Sequence, residues 1–129
     1  MVVDSSALLA IALLEPEARQ FTDVIQRARL ALLSAANFVE ASILVQGRRG
    51  QAGLELFDAF VQESGIRIEP VTRAQALLAR DAYRRFGKGN HPAGLKFGDC
   101  FAYALARERD LPLLFKGDDF ARSDIRPAV

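Results

Sequence analysis

Short apolar runs alternate with longer stretches of helical periodicity along this chain, and that alternation confines it to a narrow set of folds. Met1–Asp4, Leu30–Ser34, Ile66–Pro70 and Leu113–Phe115 read as strands, with Ile125–Arg126 as a short last one. Helices fill the intervals. Ser5 or Ser6 can cap the first, since a hydroxyl accepts from free first-turn amides. Pro16 opens a second to about Arg29, with Phe21, Val24, Ile25 and Ala28 on one face. A third covers Ala36–Gly47, with Gly47 and Gly50 bracketing its end, and a fourth covers Gln51–Glu63. Thr72 caps a fifth that runs to about Phe86, and Phe97–Arg109 is the sixth. Gly87–Gly94 holds three Gly and one Pro and must be a loop. Short apolar strands alternating with helices imply a parallel sheet covered on both faces, an α/β fold. Ligands of such open sheets bind beyond the carboxyl ends of the strands.

With 129 residues, half of them apolar, the chain is expected to form a single domain over 1–129 with a substantial core. Its lone cysteine, Cys100, rules out an internal disulfide and fits a reducing cytoplasm. The apolar run Ala7–Leu14 follows Asp4, has no preceding Lys or Arg, and is too short to span a bilayer, so it reads as a core helix. No membrane association is expected. Charge is unevenly spread: residues 1–65 carry five basic and eight acidic side chains, whereas residues 66–98 carry seven and two. That middle segment is a candidate polyanion-facing surface.

Four acidic positions stand in apolar surroundings: Asp4 after MVV, Glu40 in NFVEASIL, Asp99 in KFGDCFAY and the Asp118/Asp119 pair in LLFKGDDF. Surface acids usually sit among other charges, while a carboxylate inside an apolar run needs a partner or a metal. Each has an ordinary alternative: Asp4 as a helix cap, Asp99 as a first-turn charge favoured by the helix dipole, Glu40 as an exposed side chain. Asp4 and the Asp118/Asp119 pair both follow strands and should share one rim. Hard carboxylate oxygens suit Mg²⁺ or Mn²⁺, which can activate water and stabilise charge on a phosphoryl oxygen. His91, the only His, sits in the Gly-rich loop, so neither a zinc cluster nor a Ser–His nucleophile is available. Asn37 lies one turn before Glu40 and points the same way. Arg80, Arg84, Lys88 and Lys96 form a basic flank able to hold a nucleic-acid backbone, and Tyr83 could stack on a base.

VVDSSAL, SAANFVEAS, KFGDCFAYALA and LLFKGDDFARSDI, in that order, resemble the PIN-domain ribonucleases of the VapC toxin family over essentially the whole chain. The resemblance implies a three-layer α/β/α PIN-like domain with a central parallel sheet, and Mg²⁺- or Mn²⁺-dependent endoribonuclease activity. It also implies a homodimer neutralised by a VapB-type antitoxin. By motif, Asp4, Glu40 and Asp99 would be the metal-site acids. Asp119, directly before Phe120, would complete the pocket, with Asp118 in a variable slot. Ser6 and Asn37 match polar positions that orient the acids or their water. The reaction implied is metal-assisted in-line attack of water on an RNA phosphodiester.

Two other functions compete with this one. A PIN-like protein could serve chiefly as a nucleic-acid-binding or regulatory partner with weak or no nuclease activity. An aspartate-dependent phosphatase or phospho-receiver also uses strand-end acids. The phosphatase pattern wants a second Asp two residues after Asp4, where this chain has Ser6.

Overall fold

The computed structural model describes residues 1–129. In chain order it contains β1 (Val2–Val3), α1 (Ser5–Ala12), α2 (Ala18–Arg27), β2 (Leu32–Ser34), α3 (Ala35–Glu63), β3 (Arg67–Glu69), α4 (Arg73–Phe86), α5 (Phe97–Arg109) and β4 (Leu113–Leu114). A 3₁₀ turn at Phe120–Arg122 follows. The four strands form one parallel sheet in the order β3-β2-β1-β4.

Strand pleating divides the core in two. Val2, Leu32 and Leu113 point to one face and pack with Ala79, Ala82, Leu95, Tyr103 and Leu105 of the α4/α5 side. Val3, Leu33 and Leu114 point to the other and pack with Ala7, Leu8, Phe21, Ile25, Val45 and Phe57 of α1, α2 and α3. Successive residues of a strand face opposite ways, so strands buried on both sides must be apolar throughout. The result is the expected α/β/α sandwich. Because β2 and β3 lie on one side of β1 and β4 on the other, chain direction across the sheet reverses at β1. A crevice opens there beyond the strand ends, the place where such sheets bind ligands.

Several boundaries differ from the sequence expectation. The third and fourth helices join into α3, where Gly50, at φ 65° and ψ −164°, redirects the chain. That backbone region is essentially restricted to glycine. Pro16 lies in a turn ahead of α2, whose first helical residue is Ala18. The cap of α1 is Asp4, not a serine: Asp4 Oδ2 accepts from the Ser6 amide at 3.0 Å. Ile125–Arg126 forms no strand. The tail makes only a bridge between Leu113 and Pro127, in which the Leu113 amide donates to the Arg126 carbonyl and the Ala128 amide donates back to the Leu113 carbonyl. His91 packs within its own loop, its Nδ1 accepting from the Ala93 amide at 3.0 Å and its ring edge-on to Phe86.

Candidate active site

Asp4 ends β1 at the reversal point. Its amide donates to the Leu114 carbonyl at 2.9 Å, which extends the β1–β4 pairing by one residue and aims the side chain into the crevice. The residue is 1% exposed. One carboxylate oxygen caps α1, while the other, Oδ1, is buried without any partner. Burial pushes its pKa up to about 6; hydrogen bonds from Ser6 and Ser5 oppose the rise and the nearby Glu40 charge adds to it.

Glu40 reaches the same place from α3. Ser5 Oγ donates to Glu40 Oε1 at 2.5 Å and Asn37 Nδ2 donates to the same oxygen at 3.3 Å. Asn37 is fully buried and also donates to the Gly98 carbonyl at 2.9 Å, so it ties α3 to the start of α5. Its own Oδ1 is another buried atom without a partner. Gly98 is small for a reason: a Cβ there would collide with the Glu40 carboxylate, 2.7 Å from its Cδ.

Asp99 enters from the first turn of α5, with Oδ2 accepting from the Lys96 amide at 2.9 Å. Its pKa is raised to about 7, first by burial, then by the charge of Asp4 and by the contact with Asp119. Asp119 follows β4 and is half-buried against Asp99, whereas Asp118 is exposed. Ser6 helps place that last loop, its Oγ accepting from the Lys116 amide at 3.0 Å.

No basic side chain balances these acids. Asp4, Glu40, Asp99 and Asp119 take part in no ion pair. Lys116, three residues before Asp119, is instead held by Glu15 and Glu17. Buried carboxylates that repel one another and lack a counter-charge are stabilised by binding a cation. No three of the His, Cys, Asp and Glu side chains close into a cage for a metal ion. Mg²⁺ does not require one, because it dehydrates reluctantly and is usually held through one or two carboxylates with several waters retained. The donor set therefore fits a hydrated Mg²⁺ or Mn²⁺ between Asp4 and Asp99.

Among the basic residues singled out above, Arg80, Lys88 and Lys96 converge on one groove between α4 and α5. Arg84 does not join them and pairs with Asp81 at 2.8 Å. Sequence reasoning treated Ser5 only as a possible cap and gave Gly98 no role. Both owe their importance to contacts with Glu40, more than thirty residues away from either in sequence. Nothing local signals them.

Comparison with known proteins agrees with the topology. The PIN domain profile matches residues 1–125. Ribonuclease VapC28 of Mycobacterium tuberculosis is 43% identical over 130 aligned positions, spanning 100% of this chain and 98% of that protein. Ribonuclease VapC of Mycolicibacterium smegmatis is 41% identical, covering 97% of each. The fold also matches the crystal structure of Mycobacterium tuberculosis VapC20, a sarcin–ricin-loop-cleaving toxin, with a TM-score of 0.78 over 98% of each chain at 18% identity. Sheet order, the acids gathered at its rim and full-length similarity agree: the chain belongs to the PIN domain family, among the ribonucleases of the VapC type.

Proposed function

We propose that this protein is the toxin of a type II toxin–antitoxin pair, an endoribonuclease that cleaves RNA with the help of Mg²⁺ or Mn²⁺. One observation carries the metal requirement: the buried, unpartnered Oδ1 of Asp4 beside Glu40 and Asp99, with no cation in reach. Asp4 and Asp99 would hold the metal, with Glu40 and Asp119 as the outer acids. When bound, the metal supplies a Lewis acid for the phosphoryl oxygen and lowers the pKa of water.

The chain's own groups do the positioning. Glu40 has one oxygen fixed by Ser5 and Asn37, which leaves Oε2 free to orient a water and take its proton. Asp119 contacts Asp99 and closes the outer edge of the acidic pocket, while the departing ribose oxygen takes its proton from solvent. Asp4 keeps its place through the α1 cap, and its burial excludes bulk water.

The protein would work in the cytoplasm as a homodimer. A VapB-type antitoxin would silence it by inserting an Arg or Lys among the acids, taking the place of the metal with charge-assisted hydrogen bonds. The decisive test is cleavage of total cellular RNA by purified protein in MgCl₂ or MnCl₂. Asp4→Asn and Asp99→Asn should each lower the rate by at least about 100-fold, EDTA should abolish it, and Asp118→Asn should leave it near wild type. Undiminished cutting by both site variants would overturn the assignment. Sequencing of RNA ends after induction, against Asp99→Asn, would identify the target.

A further inference from the structure

Where α5 begins, just outside the acids, α4 and α5 part to leave a groove of about 550 Å³. That falls within the range of about 300–1,000 Å³ typical of small-ligand pockets. Ala76 and Ala79 of α4 keep the floor low. Phe97 forms one wall and is 78% exposed, although it sits on the rigid first turn of a helix. Phe101, one turn on, holds it edge-on at 4.9 Å between centroids. Tyr83 forms the other wall, 42% exposed, its hydroxyl donating to the Lys88 carbonyl at 3.2 Å.

Three cations rim the groove: Arg80, Lys88 and Lys96. None of them is in an ion pair, and no acid lines the groove. Exposed rings between unpaired cations have the chemistry of a single-strand nucleic-acid platform, on which bases stack while the charges follow the backbone. A second copy of this face would add its own unpaired cations, with no lining acid to receive them.

The geometry points to a nucleobase subsite for single-stranded RNA: one unpaired base stacks on Phe97, and its flanking phosphates meet Lys96, Lys88 and Arg80. This rests on the RNA-cleaving function proposed above. Its position suits that role, because Phe97 stands two residues before Asp99 and the Lys96 amide is bonded to the Asp99 carboxylate. A base held here sets the adjoining phosphodiester beside the acids. Stacking is sequence-tolerant, so the subsite selects unpaired over paired RNA more strongly than it selects one base.

Fluorescence anisotropy in EDTA separates binding from cleavage. The probes are labelled decaadenylate and a ten-unit ribose-phosphate strand without bases. Phe97→Ala should weaken decaadenylate binding roughly 5- to 100-fold and leave the base-free strand unchanged, while Phe97→Trp retains wild-type affinity. Because Phe97 is exposed, these variants should melt with the wild type. Lys88→Gln should weaken both ligands and lower the slope of log K against log salt by about 0.7. Equal affinity of Phe97→Ala and wild type for decaadenylate, or an equal loss on both ligands, overturns the subsite. So does a lower sedimentation mass for Phe97→Ala with unaltered RNA affinity, which would assign the face to a second copy. Base-dependent binding by a wild type that cuts no RNA in Mg²⁺ overturns the nuclease reading alone.

Discussion

Asp4 is buried with one oxygen unpartnered, an arrangement that favours the protonated acid and opposes folding at neutral pH. The sign follows from linkage. A carboxyl whose folded pKa is raised from 3.8 to about 6 adds stability that is present below pH 3.8 and lost as pH rises through 6. Asp4→Asn keeps an acceptor for the Ser6 amide and removes the charge. In EDTA at pH 8 it should raise the melting temperature by several degrees, the gain bounded at roughly 3 kcal/mol. At pH 5 the gain should fall to about half, and it should vanish only below pH 3.8, where Asp4 is neutral in both the folded and the unfolded chain. An Asp4→Asn protein that melts below wild type at pH 8 in EDTA would contradict this. Gly98 offers a second test. In Gly98→Ala the new methyl displaces the end of the Glu40 side chain without meeting backbone. Cleavage should fall about 10- to 100-fold with little change in melting, since a misplacement of about 1 Å can cost 100-fold in rate. Unchanged cleavage would show that Glu40 need not sit where Ser5 and Asn37 hold it. Asp4, Glu40 and Asp99 attract notice in the sequence because a carboxylate interrupting an apolar run is unusual. Ser5 and Gly98 are ordinary residues until the fold closes, and no local pattern marks their contacts.

At the level of elements, β1, β2 and β4 were legible because strands buried on both faces must be apolar throughout, and α4 and α5 because their termini carry clear signals. Thr72 accepts from the Gln75 amide at 3.2 Å, and Asp99 satisfies the amide at the start of α5. The sequence could not show whether the glycines at 47 and 50 end a helix or bend one. Gly47 keeps helical geometry, and only Gly50 adopts a positive φ. The tail differs as well: Ile125 and Arg126 have strand-like residues, but the single pairing formed with β4 is centred on Pro127. The kink leads to opposed outcomes for two similar substitutions. Both glycines are exposed and neither Cβ would meet a neighbour. Gly47→Ala should stabilise by about 0.5–1 kcal/mol through helix propensity. Gly50→Ala should destabilise by about 1–3 kcal/mol because alanine is strained at that φ and ψ. Urea denaturation of the two variants checks the pair, and equal effects would mean that α3 straightens at no cost.

Across the whole molecule, the candidate site belongs to no single layer. Asp4 comes from the sheet and Glu40 from α3 on one face, while Asp99 comes from α5 on the other and Asp119 from the segment after β4. Their proximity exists only when both layers are docked, so an ion that binds them binds the folded state alone. Such an ion stabilises by RT ln(1 + [ion]/Kd), about 2.7 kcal/mol at a concentration 100 times Kd. It also competes with protons for the same oxygens. The elevated pKa values of Asp4 and Asp99, about 6 and about 7, place that competition just below neutrality. Melting temperature at pH 8 should therefore rise with Mg²⁺ and reach a plateau. The same titration at pH 5.5 should give a much smaller rise, and Asp4→Asn should respond weakly at either pH. A general salt effect would instead appear at both pH values and equally with Na⁺ at matched ionic strength. If Mg²⁺ up to several millimolar leaves the wild-type melting temperature at pH 8 unmoved, the clustered acids are not relieved by a divalent ion. The uncompensated charge of Asp4 would then have to be explained by proton sharing among the carboxylates alone.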